Sequence, residues 1–267
     1  MRTALIALAA AVLAAAPATA ERIDATRLGA LPAAEVVILG EVHDNPHHHD
    51  HQAAAVEALA PTALVFEMLT EDQAARATPE LMTDQAALGE ALGWAESGWP
   101  DFDLYAPIFA AAPEAQVYGA AVPRAELRDV VRGEGALPAD AARWGLDQPL
   151  PEAQQDRREA MQAEAHCNAM PEEMMPGMVR AQRVRDAALA RAAVDALTDT
   201  GGPVAVITGN GHARTDRGIP AALSRAAPEV EVVALGQLEA PPEPPVPYDV
   251  WRVTAPVERE DPCAAFR

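Results

Sequence analysis

Short aliphatic runs recur along the chain, separated by stretches with helical periodicity. Val36 to Leu39, Leu64 to Met68, Val117 to Ala121, Val204 to Ile207 and Val230 to Leu235 are largely apolar at both odd and even positions. A strand with one wet face alternates, whereas one that is apolar throughout reads as a parallel strand covered by helices on both sides. Between these runs the spacing predicts helices over about 47–60, 101–112, 124–133 and 218–227. Pro46 suits a first helical position, with Asn45 or Asp44 as its cap. The alternation predicts an α/β fold with a mainly parallel β-sheet flanked by helices.

The stretch from about 150 to 200 offers no strand. It reads as two helices, 151–166 and 172–198, broken near Pro171 and Pro176 and forming a smaller helical insertion against one edge of the sheet. Five of the eight methionines fall between Met161 and Met178, as core filler or as a flexible apolar surface facing a ligand. The segment "GWAESGWPDFDLYAPIF" gathers Trp94, Trp99, Phe102, Tyr105 and Phe109, five of eleven aromatics. Phe102, Tyr105 and Phe109 have the spacing of a buried helical stripe, and an aromatic wall for a large flat ligand is the competing reading. The tail, about 240–267, contains the proline-rich "LEAPPEPPVPYD" and should wrap around the domain in extended form. Residues 21–267 fit one domain.

Composition narrows the chemistry. Residues 1–20, "MRTALIALAAAVLAAAPATA", carry one charge, an apolar run and an Ala18-Thr19-Ala20 end, the pattern of a secretory signal cleaved after Ala20. No cysteine follows that run to accept a lipid, so the expectation is a secreted or periplasmic protein without membrane insertion. All twenty basic residues are arginine, which excludes Schiff-base and lysine-base chemistry. A net charge of −20 argues against nucleic acid, whose phosphates need a basic footprint. Cys167 and Cys263 are the two cysteines, and in an oxidising compartment they most simply pair. Closing a loop of roughly 95 residues would stabilise by about 4 kcal/mol in the chain-entropy model.

Five of seven histidines crowd into "VVILGEVHDNPHHHDHQ", directly behind a strand. That stretch has a counterpart. "VVILGEVH" (36–43) and "AVITGNGH" (205–212) superpose at an offset of 169, each a strand, a glycine-led turn and a histidine three residues on. Two strand–GxxH units suggest an internal duplication. Loops at the carboxyl ends of parallel strands line the ligand crevice of open sheets, so Glu41, His43, Glu67 and His212 should share one rim. Two imidazoles and two carboxylates suit a divalent metal ion or acid–base chemistry; capping or loop-bonded histidines are the plainer alternative. His47 and His51 should be solvent-exposed on the following helix.

The sequence resembles the ChaN family of haem-binding iron-uptake proteins, within the Tiki-like superfamily. The likeness runs through Gly40, Glu41, His43, Asp44, Pro46, His48, His49 and Gln52, then Glu67 in "FEM". It continues through "GWPDFDLYAPI" around Trp99, Tyr105 and Pro107, "AQRVRDAALA" at 181–190, "GNGHARTDRGIP" at 209–220 and "DPC" near the end. The resemblance implies an exported α/β protein that binds haem for uptake or handling, as a homodimer sandwiching the ligand. His43, His48, His49, Tyr105, His212 and Arg214 are then candidate haem contacts. Tyr118 and Tyr248 offer further oxygens, and Arg124 and Arg217 further partners for the propionates. Superfamily relatives use the GxxH and glutamate positions for metal-dependent peptide or ester hydrolysis, which makes a hydrolase built on Glu41, His43, Glu67 and His212 the alternative. Family members are often lipoproteins, and this chain lacks the acceptor cysteine.

Overall fold

A computed structural model describes residues 20–261, 263 and 264. The secretory segment read at residues 1–20 lies outside this range apart from Ala20, as does Pro262 of "DPC". The strands are β1 (Glu21–Arg22), β2 (Val36–Glu41), β3 (Ala63–Phe66), β4 (Gln116–Gly119), β5 (Val204–Gly209), β6 (Val232–Leu238) and β7 (Val250–Val253). The helices are α1 (Pro46–Leu59), α2 (Glu71–Ala74), α3 (Pro79–Met82), α4 (Gln85–Leu92) and α5 (Phe102–Ala110). They continue with α6 (Arg124–Arg132), α7 (Glu152–Ala165), α8 (Met175–Thr200) and α9 (Gly218–Ala226). The strands form one seven-stranded sheet, parallel throughout, in the order β1-β7-β6-β2-β5-β3-β4.

Two cores explain why the strands are apolar at every position. Val37, Leu39, Leu64, Phe66, Ala205 and Ile207 point into a layer with α1, α4 and α5. Val36, Ile38, Ala63, Val65, Val204 and Val206 point into the opposite layer with α8 and α9. Each large aliphatic or aromatic side chain buried this way contributes about 1.5–3 kcal/mol. Phe102, Tyr105 and Phe109 are buried in the first layer, with Phe109 stacked on Phe66 at 4.2 Å, so the core-stripe reading of α5 holds.

The connections place the crevice. After β2 the chain crosses by α1, on one face, to β3; after β5 it crosses by α9, on the other face, to β6. β2 and β5 are direct neighbours, with Gly40 opposite Thr208 and Glu41 opposite Gly209. Adjacent strands whose connections leave in opposite directions open a crevice at their carboxyl ends. Both GxxH corners sit there.

Three features depart from the sequence reading. The helices expected over 151–198 form, but α8 lies across the face of the sheet over β3, β4 and β5 rather than against an edge. Its run of Ala187, Ala190, Ala193 and Ala196 allows that close approach. The tail is not only a wrap, since β7 within it pairs with β6 and with β1. Four-residue β7 was hidden by the prolines before it. Finally, α2, α3 and α4 fill the stretch between β3 and the aromatic segment.

Cys167 and Cys263 are disulfide-bonded, 96 residues apart, as expected. Arg259 clamps the same tail by paired hydrogen bonds to Asp44 (2.6 Å each) and to Glu239 (2.6 and 2.7 Å). Among the described residues no helix is long and apolar enough to cross a membrane.

Candidate functional site

The β2 corner is built around Glu41. As the last residue of β2 it is buried, yet its Oε1 accepts hydrogen bonds from the Tyr105 hydroxyl (2.9 Å) and from His43 Nδ1 (2.7 Å). The His43 ring therefore has its Nδ1–H fixed on a carboxylate, while its Nε2 faces Glu67 Oε1 across 4.0 Å. Its side chain is 32 % exposed. The Trp99 ring meets it edge-on at 4.8 Å. Burial opposes charge on this imidazole, but Glu41 and Glu67 outweigh it and raise its pKa above the ordinary value.

The histidines behind it have structural duties. Asn45 caps α1, its Oδ1 accepting the His47 N–H at 3.0 Å, and His47 is exposed as expected. His48 is fully buried; its Nδ1 accepts the Val42 N–H (2.8 Å) and its Nε2–H donates to Thr254 Oγ1 (2.7 Å). Burial pushes its pKa down to about 4, so it is neutral with both nitrogens engaged. His49 is also buried, donating from Nε2 to the His43 carbonyl at 2.8 Å and packing edge-on to Tyr105 at 4.4 Å. Its Nδ1 faces Glu41 Oε2 across 3.4 Å, and neither atom has a hydrogen-bond partner. His51 is half-buried rather than exposed, because its Nδ1–H donates to Gln237 Oε1 at 2.9 Å.

The β5 corner has the same motif and another outcome. His212 donates from Nδ1 to Asp186 Oδ1 at 2.6 Å, and its Nε2 lies 3.5 Å from Glu67 Oε1. Only 4 % of its side chain is exposed. Burial disfavours the charged ring, but Glu67 and Asp186 overcome it and raise the pKa to about 9. Glu67 follows β3 directly. Its Oε2 accepts from Thr208 Oγ1 (2.7 Å) and the Gly209 N–H (2.8 Å), and its Oε1 from Arg185. Burial works against its ionisation; His212, His43 and Arg185 nonetheless hold the carboxyl well below the ordinary range. Gly209 permits the approach of the two corners, since a Cβ there would meet His43 Nε2 at 2.9 Å.

Glu41, His43, Glu67 and His212 are thus brought together, with His43 Nε2 4.0 Å from Glu67 Oε1. They form a hydrogen-bonded ion cluster rather than a metal cage. Among the described residues no group of three or more His, Cys, Asp and Glu is placed to hold a metal ion, so the expected divalent metal finds no support. The physical reason is that Arg185 already supplies the positive charge beside Glu67, and Glu41 spends its Oε1 on Tyr105 and His43.

The other expected contacts scatter. Tyr105 is fully buried, its hydroxyl given to Glu41. Arg214 is engaged locally with Asp216 at 2.9 and 2.7 Å. Arg124 lies on the Trp99 side, donating to the Ser97 carbonyl at 3.4 Å. Tyr118 donates to Asp199 (3.1 Å) and Tyr248 to the Asn210 carbonyl (3.3 Å). Trp99, which meets His43, also lines a cavity of about 760 Å³ between α4 and α5, walled by Trp94 and Phe102 and rimmed by Glu90, Glu96, Asp101 and Asp103. Sequence reasoning did not single out Gln182, Arg185 and Asp186, which α8 brings to the cluster. Their signal was present: polar and charged residues at i, i+3 and i+4 on the face of a helix otherwise rich in alanine.

A profile described as "Haem-binding uptake, Tiki superfamily, ChaN" matches residues 28–223. Among solved structures, that of ChaN of Campylobacter jejuni with cofacially bound haem superposes with a TM-score of 0.62. It is 18% identical, and the match covers 79% of this chain and 84% of that one. The type III effector HopBA1 matches with a TM-score of 0.42 at 14% identity, covering 83% and 88%. An erythromycin esterase mutant, EreC H289N, gives the same TM-score and identity, covering 84% and 76%. No curated protein sequence gives a match. With a parallel sheet, two GxxH corners at its switch point and a family match over most of its length, the chain belongs to the ChaN family of haem-binding uptake proteins in the Tiki superfamily.

Proposed function

We propose that this chain binds haem in a secreted or periplasmic compartment and serves haem or iron uptake, with His43 as the residue that meets the iron. The observation that carries the reading is the state of His43. Its Nδ1–H is anchored on Glu41 while Nε2 makes no hydrogen bond among the described residues, and among the six histidines of the two corners and α1 it combines carboxylate support with exposure. A carboxylate on the far nitrogen orients an imidazole ligand and raises its basicity. Trp99 beside the ring, and the aromatic cavity it shares with Trp94 and Phe102, suit a large flat ligand. When bound, haem supplies an iron whose chemistry is tuned by the axial donor and the polarity around it.

Tyr105, His49 and His48 take a positioning part in this reading, since each holds the β2 corner through Glu41, the His43 carbonyl or the Val42 amide. His212 holds the opposite wall. The C. jejuni relative binds haem cofacially; the same arrangement here would join two copies mouth to mouth as a homodimer. Export rests on the apolar N-terminal segment and agrees with the disulfide.

The Glu41–His43 pair also has the form of a general base held by a carboxylate, which keeps a hydrolase as the second reading. Hemin titration of the mature protein separates them. The haem reading expects a saturable Soret shift that is lost in His43→Ala, with a hemin-dependent rise in mass by light scattering. Hydrolysis of ester or peptide substrates that needs His43, in a protein giving no Soret shift, would replace it. The first residue of protein recovered from the periplasm should be Glu21.

A further inference from the structure

Behind the β5 corner, on the side of Asp186 away from Glu67, two small cavities of about 160 and 110 Å³ lie between α7, α8 and the start of α9. Arg158, Asp186 and Arg217 line both. Arg183 lines the smaller one. In a chain with forty acidic and twenty basic residues, a pocket walled by arginines runs against the overall charge.

The carboxylates nearby are already committed. Asp186 takes the His212 Nδ1–H at 2.6 Å, and Asp216 takes the fork of Arg214 at 2.9 and 2.7 Å. Arg183 donates to the carbonyls of Gly145 (2.5 Å) and Gln148 (3.0 Å). Arg158 and Arg217 are half-buried and, among the described residues, their guanidinium groups make no hydrogen bond or ion pair within bonding distance. Burial lowers the pKa of Arg158, Arg183 and Arg217, and the neighbouring guanidinium groups add to this against the opposing pull of Asp186 and, for Arg158 and Arg217, of Asp216. Like charges gathered in a partly dry pocket with idle donors are costly unless an anion joins them, and guanidinium forks match a planar or tetrahedral oxyanion.

We infer that Arg158 and Arg217, with Arg183 behind them, form an oxyanion-binding pocket that accepts a carboxylate or phosphate group between α7 and α8. α7 is suited to admit such a group. None of its residues is buried, and the disulfide at Cys167 holds its far end against the tail. The anion has two sources, a free small oxyanion or the propionate of a haem seated at the mouth. The pocket stands whether or not haem binds, because its walls are separate from His43.

The test uses full mature protein, inorganic phosphate as the probe, and Arg158→Gln with Arg217→Gln as the variant. Phosphate should raise Tm of the wild type above that in chloride of equal ionic strength, and the double variant should lose this rise. In phosphate-free buffer the variant should melt no lower than the wild type, since it removes mutual repulsion. The source is set by comparing hemin with hemin dimethyl ester, whose propionates are masked. An affinity loss of about tenfold or more on esterification, reproduced by the variant with hemin, assigns the pocket to the propionate. Equal affinities together with the phosphate effect assign it to a free oxyanion. The inference is overturned if phosphate leaves Tm unchanged and hemin and its ester bind alike to both proteins, or if the variant melts lower in phosphate-free buffer. A protein that binds no hemin yet keeps the phosphate effect would remove the haem reading and leave the pocket.

Discussion

The two glycine-led corners begin alike and end differently. Each is a buried strand, a sharp turn and a histidine three residues after the glycine, and they lie on neighbouring strands. His43 has Glu41 on Nδ1 at 2.7 Å, Glu67 only at 4.0 Å from Nε2, one aromatic neighbour and a third of its side chain in solvent. His212 has carboxylates towards both ring nitrogens and almost no exposure. The difference comes from what packs against each turn. The β2 turn runs into α1 and leaves its mouth side open, whereas α8 covers the β5 turn with Gln182, Arg185 and Asp186. A shared motif therefore sets where an imidazole sits, and the neighbouring helix decides its surroundings: one is left a third exposed, the other serves as a buried cation.

The strongest way to break this contrast is at Glu67, which binds both corners. Glu67→Ala leaves Arg185 and a charged His212 without their shared counter-ion and should cost about 3 kcal/mol or more, read as a drop in Tm or in urea midpoint. His212 itself sharpens it through pH. Its folded pKa, about 9, lies above the ordinary 6.5, so its stabilisation is fully present below about pH 6.5 and is lost as pH rises through 9. On the order of 3 kcal/mol should disappear across that window in wild type and not in His212→Gln. The depressed pKa of Glu67 is the same ion pair viewed from the other partner and adds nothing separate.

His48, on the β2 side, should show the opposite sign. Its folded pKa near 4 lies below 6.5, so the protein loses stability as pH falls from 6.5 towards 4, by on the order of 2–3 kcal/mol. His48→Gln should reduce that acid slope in urea titrations. Gly209→Ala, which drives a methyl into His43 Nε2, should cost about 1–3 kcal/mol and displace the ring. The smallest stability effect is expected for His43→Ala, about 1 kcal/mol or less, because the pair with Glu41 is partly solvated.

Much of the frame was legible in the sequence. Five of the seven strands and six helices show in the sequence, the strands because a parallel sheet buried on both faces leaves an unbroken hydrophobic signal. Glu41, His43, Glu67 and His212 were legible as neighbours because strand ends of a parallel sheet share a rim. What pattern could not give was the partner chemistry. Whether an imidazole opens to solvent depends on residues remote in sequence, here Asp186 of α8, 26 residues from His212. His48 and His49 looked functional through the family motif, but the chain folds back so that Thr254 and the His43 carbonyl take their Nε2 atoms. β1 was missed because two residues leave no periodicity to read, and β7 because it follows a proline-rich run that reads as extended tail.

The most direct test of the division between the corners is a hemin titration, followed at the Soret band, of wild type, His43→Ala and His212→Gln at a pH where all three are folded by circular dichroism. Wild type should bind, His43→Ala should lose affinity by about tenfold or more, and His212→Gln should bind within a few-fold of wild type. Binding unchanged in His43→Ala but abolished in the folded His212→Gln would reverse the two assignments and contradict the reading of an outward and a buried imidazole.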